Sequence, residues 1–178
     1  AWTMNMACGS GLKALECVAA AISAGRYEVG IAGGTESMSG LPFFLPKMRA
    51  GYRLGHAKVV DAMYQDGFVC PLADMVMGET AEGLAEDLGI SREEQDAFAL
   101  SSQKKAGAAL DAGHFTDEIA PVEVPQRKGD PVTVTADEHM RPDTTLEKLG
   151  KLPAVFGDGD GTVSAGNSSG ITDGAAGL

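Results

Sequence analysis

From Leu12 to Ala24 the chain reads LKALECVAAAISA, apolar on nearly every side, and Gly25 follows as a stop. That pattern predicts a helix in the interior of a domain. Residues 1–7 read as a short extended stretch leading into Cys8-Gly9-Ser10-Gly11, and Glu28–Ala32 as a short buried strand ending at Gly33-Gly34. Extended stretch, tight turn, buried helix, strand: the order predicts an α/β fold built on a parallel sheet.

The texture changes near residue 37, where SMSGLPFFLPKMRAGYRLG carries two prolines and three glycines among Phe, Lys and Arg. This segment predicts an excursion out of the sheet. Ala81, Leu84, Ala85 and Leu88 then recur at i, i+3, i+4 and i+7, a helix with one apolar face that Gly89 ends. Ser91-Arg92-Glu93-Glu94 fits the capping box S-x-x-E and opens a second helix running to about Ala112, so residues 79–112 form a helical hairpin. From Glu118 to Asp137, Val122, Val124, Val132 and Val134 alternate with polar residues, as in extended chain. Small residues return in GTVSAGNSSGITDGAAGL from Gly161 to Leu178. The predicted plan is a core segment at 1–39, an inserted domain at 40–155 and a return to the core at 156–178.

Composition narrows the function. A hydrophobic share of 44% is enough to build a core, and a net charge of −11 argues against nonspecific nucleic-acid binding, which needs clustered cations. No apolar run is long enough to span a membrane. Cys8, Cys17 and Cys70 are an odd, widely spaced set, which fits a reducing, cytoplasmic setting better than a disulfide framework. His56, His114 and His139 lie far apart and pair with no cysteine at zinc spacing, so no metal or resident cofactor is expected. Asp158-Gly159-Asp160-Gly161 resembles the start of a calcium loop, but Ser169 stands where the required Glu would be, and a Gly-rich turn is the better reading.

The candidate chemistry sits at Cys8. A thiol at a helix start meets free N–H groups and the positive end of the helix dipole, both of which favour the nucleophilic thiolate. Gly9 and Gly11 leave room for a substrate carbonyl, and the Cys8 N–H is placed to help hold an oxyanion. The bland alternative is a small buried hydrophobe, the reading that suits Cys17 and Cys70. A rival motif overlaps: Gly9-Ser10-Gly11-Leu12-Lys13-Ala14 fits G-x-G-x-x-A of dinucleotide-binding folds. That scheme wants a full strand before Gly9, and it gives Asn5 and Cys8 no purpose.

The word Asn5-Met6-Ala7-Cys8-Gly9-Ser10-Gly11 resembles the nucleophile motif N-x-x-C-G-S-G of thiolases. Further blocks similar to that family follow in the family's order: Ala32–Ser39, Met77–Glu82, Ser91–Ala99, Asp117–Ile119, Arg141-Pro142 and Ala165–Ala176. The resemblance covers essentially the whole chain. It implies a five-layered αβαβα fold, of which this chain carries part of the N-terminal half and the inserted loop domain. It also implies a Cys-dependent acyl-CoA acetyltransferase working by ping-pong chemistry on acetyl-CoA and acyl-CoA, as a homodimer or homotetramer. The same-superfamily rival, a ketoacyl synthase, normally lacks N-x-x-C-G-S-G, and a non-enzyme alternative is a thiolase-like CoA or lipid carrier without turnover.

Carried over residue by residue, the resemblance makes Cys8 the acyl carrier. Phe68, Met77 and Phe156 become the apolar lining around pantetheine, Ala165 and Ser169 the loop contacting its amides, and Arg141 the residue near the adenine. Two positions depart from the pattern: Val76 stands where many biosynthetic thiolases carry His, and Lys148 where some carry Ser near the nucleotide. The family's G-H-P, N-E-A-F and C-terminal C-x-G segments have no counterpart in residues 1–178, so the base and second thiol are expected from outside them.

Overall fold

In the computed structural model, which describes residues 1–178, the first helix (α1) spans Ser10–Ser23. Gly25 at φ +67° ends it as predicted, with its N–H donating to Ile22 O and the Arg26 N–H to Ala21 O. Only a residue free to adopt the left-handed region closes this pair of bonds without strain. The predicted burial of α1 does not hold. None of its residues is buried, and Leu12 is 75% exposed, because within this chain the helix packs against a single strand pair on one side only.

That pair corrects a second expectation. Residues 28–31 are not a strand. They cross close beside α1, where a Cβ on Gly30 would lie 2.6 Å from Val18 Cγ1. The strand is Gly33–Ser37 (β1), paired antiparallel with Asp173–Gly177 (β8, the last strand of the chain), and Ala32 exchanges backbone bonds with Leu178 at 3.0 and 2.8 Å. Asp173 also accepts the Ser39 N–H at 2.8 Å and the Ser39 hydroxyl. All four strand pairs in residues 1–178 are antiparallel, so the expected parallel sheet is not found among them; texture and periodicity mark a strand without encoding the direction of its partner. Phe43–Phe44 (β2) with Val60–Asp61 (β3), and Val69–Cys70 (β4) with Met75–Val76 (β5), form short antiparallel pairs. Between them Met63–Phe68 makes one wide π-type turn whose first N–H is held by Asp61 Oδ1 at 2.9 Å.

These elements belong to one compact unit, Ala1–Val76 with Ile171–Leu178, and a second unit comprises Met77–Gly170. In the second, Met77–Leu88 (α2) and Arg92–Asp111 (α3) are the two predicted helices, but they do not fold back on each other as the expected hairpin; α3 packs instead against residues 146–150. The capping box is complete: Ser91 Oγ accepts the Glu94 N–H at 3.2 Å, and Glu94 Oε2 accepts the Ser91 N–H at 2.8 Å. Of the apolar face expected on α2, only Ala85 is buried. Val122–Val124 (β6) pairs with Val132–Val134 (β7), with Val122 opposite Val134 and Val124 opposite Val132. Leu146–Gly150 (α4) buries Leu149, and its N-cap Thr145 accepts the Lys148 N–H at 3.2 Å. Residues 157–161 form a turn in which Gly157 and Gly159 have positive φ, as the Gly-rich reading predicts. No helix is long and apolar enough to cross a membrane.

Candidate active site

Cys8 sits two residues before α1 and is exposed, whereas Cys17 and Cys70 are half-buried. The chain reaches it through a tight turn. Ala7 lies at φ +49°, a left-handed conformation that costs a non-glycine residue roughly 1–2 kcal/mol. Asn5 Oδ1 accepts the Ala7 N–H at 2.8 Å. Ser10 Oγ accepts the Met6 N–H at 2.8 Å and donates to Ala7 O at 2.7 Å. The Gly9 N–H donates to Met6 O at 3.0 Å, which tightens the turn further. Nothing approaches the space a Cβ would fill at Gly11, while Gly34 of β1 comes within 3.8 Å of the Gly11 Cα by the same measure. The helix start is therefore open on one side and seated on the strand by two glycines. No strand leads into α1, so the geometry that a dinucleotide fingerprint requires is missing.

Phe68, at the end of the π-type turn, shares the unit of Cys8 and is half-buried. Met77, Arg141, Phe156, Ala165 and Ser169 all lie in the second unit. Within it, Met77 opens α2 and is exposed, and the ring of Phe156 lies on the next residue. A Cβ on Gly78 would be 1.9 Å from Phe156 Cε2. Arg141 is exposed, its N–H donating to Gln103 Oε1 at 2.8 Å. Lys148 is bound to Asp143, whose carboxyl is held below its ordinary range first by the Lys148 hydrogen bond and then by that residue's charge.

Ala165 and Ser169 ride on a loop fixed by a polar network. The Glu82 carboxylate accepts the Thr162 N–H at 2.8 and 2.9 Å, the Thr162 hydroxyl at 2.6 Å and the Val163 N–H at 2.7 Å. Burial raises the Glu82 carboxyl, but these donors, with the charge of Arg92, outweigh it and leave the group below its ordinary value. Next along, Asn167 Oδ1 accepts the Ser164 N–H at 2.8 Å, and its Nδ2 donates to Thr162 O at 2.9 Å and Asp96 Oδ1 at 3.1 Å. Asp96, 4% exposed, takes Arg92 Nε at 2.8 Å, and Arg92 Nη2 continues to Leu149 O and Leu152 O at 2.7 and 3.1 Å. Gly166 lies against α4, where a Cβ would meet Leu149 Cδ2 at 2.5 Å.

Sequence reasoning passed over Glu82, Asp96 and Asn167, whose links Glu82–Thr162 and Asp96–Asn167 join residues 80 and 71 positions apart. No local pattern links them. A cavity of about 520 Å³ in this unit is lined by Glu79, Glu82, Glu86 and Asp160 with no cation, an environment that repels phosphates.

Residues 1–178 match the family described as thiolase, N-terminal domain. The acetyl-CoA acetyltransferase of Pseudomonas aeruginosa is 54% identical over 176 residues, a span that takes in 99% of this chain and 44% of that relative. Among solved structures, human mitochondrial 3-ketoacyl-CoA thiolase superimposes with a TM-score of 0.89 at 46% identity, covering 98% of this chain and 44% of that one. The same human enzyme in complex with CoA gives 0.88 at 45% identity, covering 98% and 42%. The chain thus spans a little under half the length of the relatives it matches.

Proposed function

The chain belongs to the thiolase family and has its α/β fold, and from that premise we propose that it supplies the nucleophilic half of an acyl-CoA acetyltransferase. Cys8 Sγ attacks the thioester carbonyl of an acyl-CoA, the C–S bond to CoA breaks, and CoA leaves as its thiol after taking up the proton. The acyl group stays on Cys8. A carbanion formed at C2 of acetyl-CoA then attacks the acyl carbon, and Cys8 departs as the leaving group. The reverse sequence is thiolysis of a 3-ketoacyl-CoA.

The base that removes the C2 proton is assigned to segments outside residues 1–178, where the thiolase resemblance puts it. Around the acyl group, the Cys8 N–H assists the oxyanion and the open space at Gly11 admits the carbonyl. Phe68, Met77 and Phe156 take the pantetheine arm, the loop of Ala165 and Ser169 takes its amides, and Arg141 takes the nucleotide end. Assembly as a homodimer or homotetramer belongs to the same proposal.

The observation that carries this reading is the exposed thiol of Cys8 at the mouth of α1, inside a chain that matches the thiolase N-terminal domain throughout. Incubating the whole protein with labelled acetyl-CoA and mapping peptides tests it. The acetyl group is expected on Cys8 and absent in Cys8→Ala. Label on Cys17 or Cys70, or none in an active preparation, overturns it. Label on Cys8 without any product would favour a carrier.

A further inference from the structure

We propose that Asn5 and Ser10 are positioning residues for the nucleophile, acting together to lock the left-handed turn at Ala7 that sets the direction of Cys8. The proposal rests on the reading of Cys8 as the acyl carrier.

Three features of the turn lead to it. Ala7 holds φ +49°, which an L-alanine adopts only when its surroundings impose it. Both polar groups of Ala7 are gripped by side chains: its N–H by Asn5 Oδ1 at 2.8 Å, and its carbonyl by the Ser10 hydroxyl at 2.7 Å. The same hydroxyl accepts the Met6 N–H at 2.8 Å, so one oxygen bridges the two peptide groups on either side of the Met6–Ala7 bond.

The ordinary use of a serine at a helix start is capping, and Ser10 does not do that. A capping hydroxyl precedes the helix and accepts N–H groups two or three residues further on. Ser10 is instead the first residue of α1, and its hydroxyl points backward, out of the helix, to residues 6 and 7. The N-cap itself is Gly9, which has no side chain to cap with. Asn5 also spends its carboxamide oxygen on the turn. The spacing of the word N-x-x-C-G-S-G acquires a mechanical sense: its Asn and Ser close on the residue before Cys from opposite ends. Released, Ala7 relaxes toward negative φ, and the next residue, Cys8, swings with it.

A displacement of the reacting atom by about 1 Å costs up to about 10²-fold in rate. Ser10→Ala and Asn5→Ala in the whole protein are therefore expected to slow single-turnover acetylation of Cys8 by about 10–10²-fold, with KM for acetyl-CoA unchanged. A glycine enters the left-handed region without penalty. Measured within an Ala7→Gly background, the loss caused by Ser10→Ala should consequently be several times smaller than in the presence of Ala7.

The experiment is a rapid-quench measurement of Cys8 acetylation for both single variants and for Ser10→Ala with and without Ala7→Gly. Wild-type acetylation rates in Ser10→Ala and Asn5→Ala overturn the proposal. So does a Ser10→Ala loss of equal size in both backgrounds, which would mean that the hydroxyl acts other than through the turn. Should Ser10→Ala fail to fold, Asn5→Ala with and without Ala7→Gly gives the same comparison. Acetyl label retained in Cys8→Ala would instead sink the underlying assignment of the nucleophile.

Discussion

The side-chain amide of Asn167 donates to Asp96 Oδ1 at 3.1 Å, tying the loop after Val163 to the first turns of α3 across 71 residues. Asp96 is nearly inaccessible and bonded on both oxygens, to Asn167 on one and Arg92 on the other. Such a network, fully satisfied, fixes one arrangement of the loop that carries Ala165 and Ser169. Broken at one member, it leaves buried groups without partners.

Asp96→Ala is accordingly expected to destabilise the protein by roughly 3 kcal/mol, since it removes the carboxylate facing the Arg92 charge and leaves Arg92 Nε and one hydrogen of Asn167 Nδ2 without an acceptor. Asp96→Asn, which keeps an oxygen in place but not the charge, should cost less. Denaturant unfolding of both variants measures the difference. Equal stability of Asp96→Ala and the parent would show that the network does not hold the loop.

Glu82 gives stability a pH dependence of definite sign. Its carboxyl is depressed from an ordinary value of 4.5, because burial, which raises it, is outweighed by donors from Thr162 and Val163. The folded state therefore prefers the charged form more than the unfolded state does. The contribution is present in full above pH 4.5 and is lost as pH falls through the lower, folded value. Glu82→Gln lacks this term, so the stability gap between parent and variant should be widest near neutrality and close in acid. A gap independent of pH would refute the assignment.

What the sequence made legible here was local. The Ser91 capping box, the glycine stop at Gly25 and the valine alternation of β6 and β7 each depend on residues within a few positions of one another, and each appears in the structure. The misplaced strand at 28–32 and the exposed α1 depend on which distant segment packs where. Small residues such as Gly33, Gly34, Ala175 and Ala176 carry little periodic signal, although they form a ladder. The motif around Cys8 was readable as chemistry, but the backward reach of the Ser10 hydroxyl was not, because a serine at that place reads as a helix start. Glu82 and Asn167 sit in stretches whose composition gives no hint of their partners.

Gly78→Ala should act through Phe156. The added Cβ would fall 1.9 Å from Cε2 and 2.4 Å from Cζ of the ring, so the ring must leave its place. Overpacking of this kind costs about 1–3 kcal/mol. If Phe156 lines the pantetheine arm, KM for acyl-CoA rises while acetylation of Cys8 at saturation changes little. In a double-mutant cycle the penalty of Gly78→Ala should largely vanish in a Phe156→Ala background. Additive losses would place the clash elsewhere.

Residues 1–178 produced alone are expected not to cleave acetoacetyl-CoA. Cys8 is exposed and its turn is closed by residues 5–10, but the proposed C2 carbanion needs a base and a second oxyanion site, which the proposal draws from outside residues 1–178. Loss of acid–base assistance costs roughly 10²–10⁴ in rate, and loss of an oxyanion donor roughly 10²–10³. The two need not multiply, yet either alone is visible in a thiolysis assay. The uncovered apolar side chains of α1 and its neighbours, Leu12, Val29 and Ile31 among them, also predict association that grows with concentration in sedimentation velocity. A monomeric preparation of these residues with the thiolysis rate of the whole protein would mean that a base lies within them. The first place to search would be the carboxylates lining the cavity beside α2, which include Glu79 and Glu86.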